Sequence, residues 1–323
     1  MYQNKKVLLI AGGGTLGTYT AEELLRLGAS VDVICPEEKT SDHPRLKFIQ
    51  AYASDALLES LFASTHYDGI VNFLHYPDET EYKRVHPFLM QNTDHLIFLS
   101  SYRVYANEQH PVRENAPRLH EVYPVEGLLA EDTYGVKKAL CEDYLFGERK
   151  GERWTIVRPV ISFSKTRLDL LMNSKQRVLV LAERGAPMRL PLSARNLAAG
   201  LDWAGNSGKL IANLLFKESA IGEAFTVYSG HGMTWGEIAD AYAAETGVRF
   251  EWVSDEEYLQ GFSEQWKNPG FRIMWYYDRA FHRDVDSSKI LSVTGLSKHD
   301  FATVREGIRA ELKLLNWKKE NQS

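Results

Sequence analysis

Apolar residues in the first half of the chain fall into short unbroken runs, separated by polar stretches with a helical period. Val7-Leu-Leu-Ile-Ala11 ends in glycines and reads as a strand buried on both faces of a parallel sheet. Tyr19 to Leu27 follows with helical spacing and stops at Gly28, a helix C-cap signal. Val31–Cys35 predicts the next strand, Lys47–Gln50 a shorter one, and Asp55–Ala63 a helix. Gly69–Leu74 and His95–Leu99 predict two more strands, with a helix at Glu79–Met90 between them. Ala130–Gly147 predicts a helix and Trp154–Pro159 another buried strand. Strands alternating with helices predict an α/β chain with a Rossmann-type doubly wound parallel sheet.

Beyond Ser162 the pattern is mixed. Helices are predicted at Thr166–Glu183 and Arg195–Ala204, and a strand at Ala224–Ser229. Thr234, with Glu237 three residues on, reads as a capping box that opens a helix closed by Gly247. Glu251–Asp284 is rich in aromatics, a composition that suits the core of a lid or subdomain better than a platform for stacked bases. The Lys-rich end after Trp317 reads as a frayed helix terminus. Residues 1–162, with segments returning at about 188–230, are expected to form a dinucleotide-binding half. About 163–187 and 231–323 would form a smaller, mainly C-terminal substrate-binding domain.

Composition narrows the classes. The 323 residues suffice for a large core. A net charge of −5 gives no general pull toward nucleic acid or anionic membrane. The apolar runs are too short to span a bilayer, and the first strand leaves no room for a secretory leader, so a cytoplasmic protein is expected. Only Cys35 and Cys141 are present, which excludes a disulfide framework. His75, His86, His95, His231 and His282 show no ligand spacing, and no metal is expected.

The candidate chemistry lies in three features. Gly12, Gly14 and Gly17 fit Gly-x-Gly-x-x-Gly between a strand and a helix, where backbone amides can approach a pyrophosphate; Thr15 and Leu16 lie inside the motif. Cys35 ends the second strand, where a dinucleotide ribose is gripped, and Glu37 just beyond would repel a 2′-phosphate, favouring NAD over NADP. Tyr134 and Lys138, at i and i+4, share a helix face, and an ammonium beside a phenol favours the phenolate. Ser101, at the end of the fifth predicted strand, has a hydroxyl that can hold a substrate oxygen against that phenol.

In this order the features resemble the extended short-chain dehydrogenase/reductase superfamily, the NAD-dependent epimerase/dehydratase group. The resemblance rests on Gly12–Gly17, Phe98–Tyr105, Tyr134–Lys138, Val157-Arg-Pro159 and Asp286–Ile290, and it spans nearly the whole length. It implies Tyr134 as acid/base, Lys138 as the residue that lowers its pKa and holds a ribose, Ser101 on the reacting oxygen, and Pro159 beside the nicotinamide of NAD or NADP. It further implies a small-molecule substrate such as a nucleotide sugar, and a homodimer.

Four positions depart from the family pattern. Its first glycine falls on Ala11, its adenine-contacting Asp on Tyr52, and the dehydratase Asp-Glu pair on Tyr102 and Arg103, which disfavours water elimination. The segment between Leu74 and His95 is short where many members have a long dimer helix. Arg189-Leu-Pro-Leu-Ser-Ala-Arg-Asn196 resembles the stretch that carries a diphosphate-binding arginine in UDP-sugar epimerases, which makes Arg189 a substrate candidate; a surface arginine paired with a carboxylate is the other reading. Arg272, Arg279 and Arg283 are further phosphate candidates. The expected activity is epimerisation or oxidoreduction at a hydroxyl or carbonyl carbon. A ketone or aldehyde reductase, or a non-catalytic cofactor-sensing or RNA-binding member, are the alternatives.

Overall fold

The computed structural model describes residues 2–123, 134–168 and 170–317. Its centre is a parallel sheet of seven strands: β1 Lys6–Ile10, β2 Ser30–Cys35, β3 Leu46–Gln50, β4 Gly69–Asn72, β5 Leu96–Leu99, β6 Trp154–Pro159 and, much later in the chain, β10 Glu223–Val227. Their order is β10-β6-β5-β4-β1-β2-β3. The direction of winding reverses between β1 and β4, and the carboxyl edge at such a switch point is where open α/β sheets hold ligands.

Side chains alternate between the two faces of the sheet. Leu9, Val33, Val71 and Ile97 pack on one side against Leu24 and Ile211 of the helices Thr15–Leu27 and Ala204–Leu214. Leu8, Ile34, Ile70 and Phe98 pack on the other against Leu89 and Leu145 of the helices Glu79–Gln91 and Tyr134–Glu148. Burial on both faces is the reason these strands read as continuous apolar runs.

The second half is built from smaller pieces. β7 Ile161–Phe163 pairs with β9 Leu201–Trp203, and β8 Pro187–Pro191 pairs with β11 Arg249–Val253. Of the stretch expected to return to the dinucleotide half, β10 does so, whereas β8 joins β11 away from the main sheet. The aromatic segment contributes to a second core: Tyr258, Phe262 and Trp275 are buried with Phe163, Leu190, Trp235 and Tyr242.

Two predicted helices need correction. Thr166–Glu183 becomes helical only at Lys175, where Ser174 caps it by accepting from the Arg177 amide. The residues before it form β7 and the tight bridges Ser164–Arg167 and Leu170–Asn173. Arg195–Ala204 is not a helix; Leu192–Ala194 makes a single 3₁₀ turn, and Gly200 at φ 54° leads into β9. In the first place local bridges, and in the second pairing with distant segments, override a helical period. The Tyr134 helix is described from its first residue, and the predicted 130–133 and the Lys-rich end at 318–323 lie outside the described residues. Among the described residues, no helix is long and apolar enough to cross a membrane.

Candidate active site

A cleft of about 500 Å³ opens at the carboxyl edge of the sheet, over the switch point. The glycine turn forms one wall. A Cβ on Gly12 would lie 2.6 Å from Leu9 Cβ, and one on Gly17 would lie 2.2 Å from the Gly12 carbonyl oxygen, so both glycines are required by close packing of the turn on β1 and on its own helix. Gly14 is different: a Cβ there meets nothing within 4 Å, and the residue lines the cleft. That space is what a pyrophosphate needs for close approach to the backbone. No side chain caps the helix Thr15–Leu27 and no acidic residue stands in its first turn, so its positive end faces the cleft. Thr15, Leu16 and Gly17 line the same wall, and the Thr15 hydroxyl bonds those of Ser164 (3.0 Å) and Thr166 (2.9 Å). The donor set therefore fits a dinucleotide.

Cys35 stands at the outer side of this turn, not on the cleft wall. Its side chain is buried, and a Cβ on Gly13 would meet Cys35 Cβ at 2.5 Å and Glu37 Oε2 at 2.9 Å. The Lys39 ammonium donates to the Gly13 carbonyl at 2.5 Å, closing the turn from outside. Tyr52 is 81% exposed just past β3.

Ser101, Tyr134 and Pro159 all line the cleft, so the structure brings together the three residues that the sequence places about the reacting carbon. Ser101 caps the 3₁₀ turn Tyr102–Val104, its Oγ accepting from the Arg103 amide at 3.2 Å. Beside it the Ser100 hydroxyl is buried, lines the cleft and has no hydrogen-bond partner among the described residues. The His75 ring lies 5.1 Å from the Tyr134 ring, centroid to centroid. Lys138 points elsewhere: its ammonium donates to the carbonyls of Leu74 (3.0 Å) and Leu99 (2.6 Å) and is absent from the cleft wall. Burial pulls its pKa down to about 8.

The far wall belongs to the second half of the chain. Arg167, Met274, Asp278 and Arg279 line it, facing Arg103 of the first half. Asp278 accepts from Arg279 at 2.5 Å and from the Tyr102 hydroxyl, and lies 3.7 Å from Arg103. Burial works against its charge, but Arg279, Arg103 and Arg283 outweigh it and hold the carboxyl below the usual range. Asp278 gives no sequence signal beyond a charged pair set in an aromatic run. Arg283 lies behind Tyr102, donating to the carbonyls of Tyr105, Ala106 and Tyr277. Arg272 turns back on Trp266 and Lys267.

Arg189 is not on the cleft wall. It projects from β8, half-exposed, between Glu251 (3.5 Å) and Glu257 (3.1 Å), which is the surface ion-pair reading of this residue. The guanidinium groups that do line the cleft are those of Arg103, Arg167 and Arg279.

No protein-family model matches the chain, nor does any curated protein sequence. Solved structures match along its whole length. A dTDP-glucose 4,6-dehydratase from Bacillus anthracis in complex with NAD has a TM-score of 0.70 at 14% identity, over 97% of this chain and 96% of that one. The enzyme WbmG of Bordetella bronchiseptica, in complex with NAD and UDP, has a TM-score of 0.68 at 17% identity, over 95% and 94%. A UDP-glucose 4-epimerase from Stenotrophomonas maltophila, with NAD and formylated UDP-arabinopyranose, has a TM-score of 0.68 at 14% identity, over 97% and 99%. The chain thus shares its fold with these enzymes, a Rossmann-type α/β fold as expected from its sequence.

Proposed function

We propose that this chain is an NAD(P)-dependent epimerase or oxidoreductase acting on a hydroxyl or carbonyl carbon of a nucleotide sugar. The observation that carries the reading is that the glycine turn, Pro159, Ser101 and Tyr134 line one cleft. When bound, a nicotinamide supplies the hydride acceptor or donor for that carbon. The turn and the start of its helix hold the pyrophosphate, and Gly14 lets it approach. Ser101 aligns the substrate oxygen, and Tyr134 takes and returns its proton, a contribution of roughly 10²–10⁴-fold. Glu37, beside the turn, favours NAD over NADP. Arg167 and Arg279 offer the forked donors that suit a substrate diphosphate. The fold shared with enzymes solved with NAD and with UDP supports the same substrate class.

Titration with NAD and NADP tests the first step: a melting shift is expected at millimolar cofactor, following RT ln(1 + [L]/Kd), and its absence with both overturns the reading. Tyr134→Phe should keep the shift and lower turnover by roughly 10²–10⁴-fold. The placement of Arg189 away from the cleft favours one rival, reduction of a small ketone or aldehyde. Binding of UDP, dTDP or GDP to cofactor-loaded protein separates the two, since a small carbonyl substrate predicts that none of them binds.

A further inference from the structure

We propose that Arg103, seated by Asp278 from the second half of the chain, is the positioning residue that sets the proton affinity of Tyr134. This rests on the acid/base role of Tyr134, but on neither the cofactor nor the substrate. The Arg103 guanidinium carbon stands 5.2 Å from the centroid of the Tyr134 ring. A cation held against the ring favours its charged form, here the phenolate, over the neutral phenol.

The placement is built from three parts. Tyr102–Val104 forms a 3₁₀ turn capped by Ser101. That turn lies against the first turn of the Tyr134 helix because Gly135 has no side chain; a Cβ there would be 2.7 Å from the Arg103 carbonyl oxygen. On its other side Arg103 Nε is 3.7 Å from Asp278 Oδ2, and Asp278 is fixed in turn by Arg279 and the Tyr102 hydroxyl. Asp278 and Arg279 end a π-helical turn, Trp275–Arg279. Such turns are rare and concentrate at functional sites. Arg103 thus joins the two halves of the chain at the catalytic phenol.

Lys138 is less suited to the task here. Its ammonium is committed to the carbonyls of Leu74 and Leu99, and burial draws its pKa to about 8, so its charge fades as pH rises toward the range where a phenol ionises. A guanidinium stays charged throughout that range. Among the described residues, the exposed His75 ring also stands against Tyr134, and Asp278, Arg279 and Arg283 are charges about Arg103. Arg103 itself neither gives nor takes a proton.

Ultraviolet titration of tyrosinate in the protein without cofactor or substrate tests the proposal. The wild-type curve minus that of Tyr134→Phe isolates Tyr134, and the same subtraction is made in Arg103→Gln, Arg103→Lys and Lys138→Met backgrounds. Arg103→Gln should raise the midpoint by about 1–2 pH units. Arg103→Lys, which keeps a charge but loses the fork, should give a smaller rise, and it carries the test alone if Arg103→Gln does not fold. Lys138→Met should move the midpoint less than Arg103→Gln. An unchanged midpoint in the Arg103 variants, or a larger shift in Lys138→Met, overturns the proposal. Failure of NAD and NADP to bind overturns the proposed function and leaves this titration readable.

Discussion

Ala11 holds a left-handed backbone, φ 55°, at the point where β1 turns into the cleft. The family pattern places a glycine there, and the conformation explains why: an L side chain in this region costs about 1–2 kcal/mol. Ala11→Gly relieves that strain but adds about 0.4–1 kcal/mol of unfolded-chain entropy. The net expectation is a gain of about 0.5–1 kcal/mol, read as a higher urea midpoint at unchanged slope. Lys138 carries the opposite kind of tension. Its folded pKa of about 8 lies below the ordinary 10.5, so between those values the native state binds fewer protons than the unfolded chain, and stability rises with pH across that window. Wild type should therefore gain on Lys138→Met by about 3 kcal/mol between pH 7 and 10.5, measured by denaturant unfolding of both proteins. Parallel pH profiles would show that the ammonium is not desolvated as its burial requires.

The glycine turn shows how one element can separate folding from binding. Gly17→Ala would drive a methyl to 2.2 Å from the Gly12 carbonyl, so the turn and its helix must part; a loss of more than about 2 kcal/mol is expected. Gly14→Ala meets no atom within 4 Å at an ordinary φ of −77°, so its melting temperature should stay near wild type. Its methyl points into the room for the pyrophosphate, and the shift induced by NAD should shrink or vanish. If Gly14→Ala binds NAD as wild type does, the pyrophosphate lies elsewhere. The glycine turn itself was legible in the sequence because strand, glycines and helix are consecutive, and the sheet was legible because doubly buried strands are continuous apolar runs. The pairing of β7 with β9 was not, since residues 161–163 and 201–203 meet only in three dimensions and a helical period can be matched by chance. Arg189 was misplaced for a related reason: an arginine on a strand has the same sequence whether it faces a cleft or Glu251 and Glu257. Asp278 escaped because its partners, Arg103 and Tyr102, lie more than a hundred residues away.

At the scale of the molecule, the C-terminal helix Val304–Leu314 reaches back to the first turn of the chain through one carboxylate. Glu311 is fully buried and accepts from the Tyr19 hydroxyl on the glycine-turn helix, from Trp203 Nε1 at 2.6 Å on β9, and from the Lys165 amide at 2.6 Å. Lys165 lies between Ser164 and Thr166, the two residues whose hydroxyls bond Thr15. One acid from the end of the chain thus holds the loop at the mouth of the glycine turn, and a coupling between folding of the second half and binding at the first is expected. Glu311→Ala leaves three part-buried donors without this acceptor and empties a fully buried site, and a loss of about 2–4 kcal/mol is expected, a large part of the roughly 5–15 kcal/mol that holds a domain. Glu311→Gln keeps one carbonyl acceptor and should lose less. Both variants should also weaken the NAD-induced melting shift, although Glu311 does not line the cleft. A Glu311→Ala protein that unfolds within about 1 kcal/mol of wild type would mean that the loop is held by its other contacts, to Thr15 and Lys175, and that Glu311 does not couple the two halves.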